Sequence, residues 1–123
     1  MEVFHLTRED DSPEILLDKG KGIFFIEGNS FVEDPETLYK PVLAWFEAYQ
    51  RSPNITTIVE FKMNYLNTAS TGQLIELLMK LEDMIPETNV KIKWYYHAKD
   101  DDLREMGEVL NSIIELDFEF VEK

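Results

Sequence analysis

The sequence predicts a small two-layer α/β domain, a mixed and mostly parallel sheet with helices on one face. Three observations carry this. Strand-like and helix-like apolar periods alternate along 123 residues, a length that fits one domain. After an opening hairpin, each further strand pattern is reached through a helix pattern, and such crossovers join parallel neighbours. The patterns at Ile55–Met63 and Val90–His97 are apolar on one side only. A strand covered on both faces would read as a near-continuous apolar run.

The elements follow in order from local signals. The chain opens on polar residues, broken by a Val3–Leu6 apolar patch. Glu14–Asp18 and Lys21–Glu27 read as two strands joined at Lys19-Gly20, a hairpin with Gly22 just beyond the turn. Gly28-Asn29-Ser30 ends the second strand. Asp34 is the candidate N-cap of the first helix and Pro35 its first residue. Leu38, Val42, Trp45, Phe46 and Tyr49 then share one helical face. Pro41 lies inside that pattern and removes a hydrogen bond. A kink is expected there, or a loop ending near Lys40 with the main helix after it.

In the next strand Ile55, Thr57, Val59, Phe61 and Met63 face one way, and Thr56, Ile58, Glu60, Lys62 and Asn64 the other. A second helix starts between Thr68 and Ser70 and runs to about Met84. Leu74, Leu77, Leu78, Leu81 and Ile85 form its buried stripe, Ser70 and Gln73 have capping-box spacing, and Pro86 stops it. Val90, Ile92, Trp94 and Tyr96 then oppose Lys91, Lys93, Tyr95 and His97. A third helix covers about Asp100–Ile113 with Leu103, Met106, Leu110 and Ile113 inward. Its acidic start, Asp100-Asp101-Asp102, suits the positive end of the helix dipole. Phe118–Val121 is a short final strand.

Composition narrows the functional classes. With 25 acids against 12 bases the net charge is −13, which opposes binding to nucleic-acid phosphates and to anionic lipid. A basic protein surface is the natural electrostatic partner, and the bland account is that the charge maintains solubility. There are no cysteines, so disulfides, thiolate–metal sites and cysteine nucleophiles are excluded. Met1–Asp11 lacks a basic n-region and a long apolar run, and no stretch reaches the ~18–20 apolar residues of a membrane span. A cytoplasmic protein is the expectation.

Most candidate chemistries lack their signatures. His5 and His97 are the two histidines, and His97 near Asp100 or Asp101 has no metal-ligand spacing to support it. No GxSxG elbow or glycine-rich oxyanion loop is present. Neither Asp100–Asp102 nor Glu9–Asp11 has the EF-hand pattern. Gly20-Lys21-Gly22 is too short for a Walker loop and precedes a strand. Trp94-Tyr95-Tyr96 suggests base stacking, which the acidity opposes. Alternation leaves Tyr95 as a contact residue on the open face.

One stretch does point to a chemical event. Tyr65-Leu66-Asn67-Thr68-Ala69-Ser70-Thr71-Gly72-Gln73 lies where a strand pattern becomes a helix pattern. Its hydroxyls stand at a helix N-terminus, where N–H groups lack intrahelical partners and the dipole favours a phosphate. Phosphorylation of Thr68 would add roughly −1.5 to −2 charges at a place reachable by a kinase. The plain alternative is an ordinary N-cap worth ~1 kcal/mol. Ser70 and Thr71 are also plausible acceptors.

With those residues in view, the chain resembles the SiaC-type regulatory phosphoproteins, relatives of STAS domains and anti-sigma-factor antagonists. The resemblance runs through Ile15-Leu16-Leu17-Asp18, Gly28-Asn29-Ser30-Phe31, Pro41–Trp45, Tyr65–Ser70, Val90–Tyr96 and Phe118-Glu119-Phe120. It implies a STAS-like sheet and makes Thr68, in the Asn-Thr-x-Ser block, the phosphorylated threonine. It further implies a serine/threonine kinase, a PP2C-type phosphatase, and a diguanylate cyclase bound and activated by the unmodified form, favouring biofilm. ATP and metal belong to those enzymes, so neither cofactor nor metal is expected on this chain. Val32 stands where the family usually has proline, and Asn67 where more distant relatives often have aspartate.

A non-enzymatic partner switch is therefore expected, with Thr68 as acceptor and Asn67, Ser70, Thr71 and Tyr65 as partner-binding residues. The alternatives are a STAS-like small-ligand sensor with Thr68 as a structural cap, and an enzyme using His97 with nearby carboxylates.

Overall fold

A computed structural model describes all 123 residues. Along the chain run β1 (Phe4–Leu6), β2 (Glu14–Asp18), β3 (Ile23–Ser30), α1 (Pro35–Tyr49), β4 (Thr56–Leu66), α2 (Thr68–Asp83), β5 (Asn89–Tyr96), α3 (Asp101–Ile113) and β6 (Asp117–Glu122). The six strands form one sheet in sequence order. β1, β2 and β3 are antiparallel neighbours, and β3 through β6 pair in parallel. Each crossover moves one strand in the same direction. With the usual right-handed connection, α1, α2 and α3 must then lie on the same face.

The period-2 pattern sorts the two faces. Phe24 and Ile26 of β3, Val59, Phe61 and Met63 of β4, and Ile92 and Trp94 of β5 are buried under the helices. Opposite them the uncovered face pairs its own groups. The Tyr95 hydroxyl donates to Glu60 at 2.5 Å. Lys62 Nζ sits 5.5 Å from the Phe25 ring centre and 5.2 Å from that of Tyr95. Lys91 bridges Glu119 at 2.9 Å. Cation–ring and ion-pair contacts of this kind let a half-polar face meet water without a second helical layer.

The structure departs from the sequence reading at several places, each with a local cause. The Val3–Leu6 patch contains a sixth strand, too short to show a period, which pairs Phe4 with Leu17 and Leu6 with Ile15. β3 does not end before Gly28-Asn29-Ser30 but runs through them, with a shift in register between Gly28 and Asn29. Gly28 has φ 125°, and a Cβ there would lie 2.9 Å from Arg8 Nε. That backbone conformation favours glycine. α1 is continuous through Pro41 rather than beginning after Lys40. Pro41 and Thr37, whose carbonyl it leaves without an intrahelical bond, are both exposed, so water can take that bond.

Helix ends account for the remaining differences. α2 stops at Asp83, so Met84 is buried while Ile85 is 45% exposed. Likewise Ile114 is buried beyond the end of α3, and Ile113 is 59% exposed. The 3.6-residue period cannot be extended past the last helical turn.

Candidate functional site at the start of helix α2

The ends of two parallel strands create the site. β3 and β4 finish side by side, with Ser30 opposite Leu66. The Asn67 N–H then donates to the Ser30 carbonyl at 3.0 Å, which fastens the first residue after β4 to the last of β3. Asn67 has extended backbone, and its Oδ1 accepts the Ser70 N–H at 2.8 Å. Asn67, not Thr68 or Ser70, is therefore the N-cap, and Thr68 is the first helical residue. The expected Ser70–Gln73 capping box is replaced by an asparagine cap one turn earlier. Asn67 Nδ2 also donates to the Val32 carbonyl at 3.3 Å, tying the β3–α1 loop to the cap.

This geometry gives the three hydroxyls different environments. Thr68 is the first residue of α2 and is exposed. Its N–H and that of Ala69 have no intrahelical partner, so both point their partial positive charge outward. Ser70 is fully buried, and Ser30 Oγ donates to its Oγ at 2.8 Å. Thr71 is partly buried, its Oγ1 donating to the Asn67 carbonyl at 3.0 Å. Thr68 is thus the exposed one of the three. Ser70, expected to face a partner, faces the core instead, because the cap sits one turn earlier and turns its side chain under the helix.

Behind Ser70 lies a buried polar chain. Ser30 Oγ is 2.8 Å from the Tyr39 hydroxyl of α1 as well as 2.8 Å from Ser70. A serine has one proton. With Ser30 donating to Ser70, Tyr39 donates to Ser30, and the order is Tyr39 to Ser30 to Ser70. Burial pushes the Tyr39 hydroxyl up to about 12, and near pH 7 it is a neutral donor. Three elements are joined at the base of the site: α1, β3 and α2. Sequence reasoning missed Ser30 and Tyr39. A serine closing a strand and a tyrosine one residue off the expected helical stripe were the available signals.

Tyr65, the remaining expected contact residue, is 53% exposed and stacks edge-to-face on Phe31, itself 42% exposed, with ring centres 5.6 Å apart. The sequence pattern does not single out Phe31 beside Tyr65. A groove of about 200 Å³ runs beside Tyr65, between Asn64 and Leu66 of β4 and Asp102 and Met106 of α3.

Elsewhere the side chains have structural partners. His97 Nε2 is 3.4 Å from Asn64 Oδ1 on the surface. His5 bridges Glu14 at 3.0 Å. Asp100 caps α3 by accepting the Leu103 N–H at 3.1 Å. Trp94 is buried, its indole N–H donating to the Leu103 carbonyl at 2.9 Å. No three His, Cys, Asp or Glu side chains converge as a metal site, and no helix is long and apolar enough to cross a membrane.

Comparison with known proteins agrees with this architecture. The family model described as SiaC family regulatory phosphoprotein matches residues 6–123. A protein of Pseudomonas aeruginosa (strain UCBPP-PA14) is 24% identical over 109 residues, covering 88% of this chain and 86% of that one. The fold superimposes on a structure of SiaC of P. aeruginosa with TM-score 0.91 at 22% identity, over the whole of both chains. It matches apo-SiaC at 0.89 and 22% identity, over 98% of this chain and 99% of that one. It also matches the crystal structure of the diguanylate cyclase SiaD with its activator SiaC, at 0.90 and 21% identity, over 98% and 99% of the two chains. With the family model spanning all but the first five residues, this chain belongs to the SiaC family of regulatory phosphoproteins.

Proposed function

We propose that this chain is a non-enzymatic partner switch whose state is set at Thr68. A serine/threonine kinase phosphorylates Thr68 and a PP2C-type phosphatase reverses it. The unmodified form binds and activates a diguanylate cyclase, as SiaC of P. aeruginosa is an activator of SiaD. The output is cyclic di-GMP and biofilm signalling in a bacterial cytoplasm. The observation that carries the reading is the contrast among three neighbouring hydroxyls: Thr68 exposed, Ser70 buried and Thr71 bonded to the Asn67 carbonyl.

The physics of the switch follows from that position. A phosphate at the first residue of α2 accepts the free Thr68 and Ala69 N–H groups and leaves the fold intact. Tyr65 and Asn67 beside it form the edge a partner meets. A partner packed over a neutral hydroxyl would instead have to desolvate roughly two negative charges, at several kcal/mol. Since ~1.4 kcal/mol is tenfold in affinity, that is enough to release it.

The test is intact-mass and phosphosite mapping of the protein purified from its own host, followed by titration with a diguanylate cyclase of that host. A phosphate on Thr68, and loss of cyclase binding when it is present, are expected. Thr68→Ala should fold normally, resist phosphorylation and keep the cyclase active. Thr68→Asp should weaken binding, less than phosphate does. Protein unmodified under all growth conditions, or a Thr68→Asp variant that binds as tightly as wild type, would overturn the proposal.

A further inference from the structure

A groove on the helical face, remote from Thr68, has the chemistry of a second docking surface. α1 and α2 pack side by side, and along their outer seam lies an open groove of about 650 Å³. Leu43, Met79 and Ile85 supply its apolar floor. Met79 is 54% exposed, and Ile85 is exposed because α2 ends just before it. Glu76, Glu82 and Asp83 line the rim, and Glu47 of α1 is bridged by Lys80 of α2. The Lys80 ammonium holds the Glu47 carboxyl below its usual range and is itself little exposed. Four carboxylates against one ammonium leave the groove a net charge of −3.

We propose that this groove docks an amphipathic helix of a partner protein, one with apolar residues on its inner face and lysine or arginine on its flanks. Three arguments select that occupant. The seam between two adjacent helices has the shape into which a third helix packs by ridges and grooves. The floor needs apolar anchors, and the rim needs cations to answer the carboxylates. A second copy of this chain would bring −3 against −3 here and −13 against −13 overall, so self-association at this groove is repelled. Lys and Arg stems also cover apolar floor while their heads reach the rim.

The groove and Thr68 act separately. Met79 lies about 16 Å from Thr68 along α2 at ~1.5 Å per residue. That is about twice the ~8 Å screening length at physiological ionic strength, so a charge added at Thr68 is weakly felt there. A partner that must hold both the modified and the unmodified protein can use this surface. The groove and its occupant do not depend on Thr68 being a switch.

The test uses the full chain, labelled with nitrogen-15, and a synthetic helical peptide of leucine and lysine with its leucines on one face. Amide shifts should centre on α1 and on the second half of α2, near Leu43, Met79 and Ile85. Met79→Asp then separates docking from charge attraction, because it adds a negative charge while removing an apolar anchor. Docking predicts that the peptide dissociation constant rises about tenfold or more, as for loss of a buried anchor. Simple attraction predicts tighter binding. Glu76→Lys with Asp83→Lys should also weaken binding, and Glu105→Lys with Glu122→Lys, the same charge change elsewhere, should have a much smaller effect. Shifts scattered over the acidic surface, unchanged or tighter binding by Met79→Asp, or equal losses from the two charge-reversal pairs would overturn the proposal. The same titration on Thr68→Asp should give the wild-type dissociation constant.

Discussion

Replacing Asn67 with alanine tests whether the asparagine cap builds the site. In the native protein Asn67 Oδ1 accepts the Ser70 N–H at 2.8 Å, and Nδ2 donates to the Val32 carbonyl at 3.3 Å. Losing a helix cap costs about 1 kcal/mol. Losing the longer bond to Val32 adds about 0.5–1 kcal/mol, the low end for a part-buried hydrogen bond. The expected total is about 1.5–2 kcal/mol. At about 4 °C per kcal/mol for a chain of this size, the melting temperature falls by about 6–8 °C. Urea unfolding should show a lower midpoint with unchanged slope, since the surface exposed on unfolding is the same. Asn67→Asp is the internal contrast. It keeps the cap acceptor and gains about 0.3–1 kcal/mol from the helix dipole, which offsets the lost Nδ2 bond. That variant should lie within about 0.5 kcal/mol of wild type, on the scale of an ordinary surface substitution. Equal losses in the two variants, or an alanine variant as stable as wild type, would refute the cap as the element that orders the start of α2.

Other consequences follow from the packing. The Tyr39 hydroxyl is raised from 10.0 to about 12 by burial. Its contribution to stability is thus full below pH ~10 and is lost as pH rises towards ~12, a total on the order of 2–3 kcal/mol. Stability measured across that interval should fall less steeply in Tyr39→Phe. An equal slope in variant and wild type would place the ionising group elsewhere, Tyr95 being the other tyrosine raised to about 12, there chiefly through its bond to Glu60. Gly107→Ala would put a Cβ 2.6 Å from the Trp94 indole and 2.8 Å from the Phe120 ring. α3 must then lift from the sheet, and denaturant unfolding should report a loss of about 1–3 kcal/mol. Ser70→Val, which removes the acceptor for Ser30, should destabilise by about 1–3 kcal/mol through an unpaired buried hydroxyl. In Ser70→Val with Ser30→Ala the Tyr39 hydroxyl is the one left unpaired, so the combined loss should be smaller than the sum of the two single losses, and a purely additive double variant would disprove the Tyr39–Ser30–Ser70 chain.

Much of the fold was legible because it rests on local periods. Thr57, Val59, Phe61 and Met63 alternate inward, and Leu74, Leu77, Leu78 and Leu81 repeat at helical spacing, so β4 and α2 declare themselves. The parallel order of β3 to β6 follows from those elements and crossover handedness. Asp34 caps α1 as its Asp-Pro start implies, accepting the Thr37 N–H at 3.3 Å. The errors sit where the period stops informing. β1 has three residues, Ile85 and Ile113 lie at helix ends, and the bulge at Gly28 changes the register without leaving the strand.

The sequence by itself determined the α/β class, the one-sided sheet, the strongly acidic surface and the presence of hydroxyls at the start of α2. Tertiary structure alone decided which hydroxyl faces water. Thr68, Ser70 and Thr71 are three similar residues in one turn, and local pattern assigns them nearly equal prospects. Their fates diverge because Asn67 takes the cap, Ser30 and Tyr39 reach Ser70 from other elements, and nothing packs over Thr68. A residue's period reports its own backbone, whereas its burial and hydrogen bonds depend on segments that are distant in the chain and adjacent only once the sheet and helices have closed.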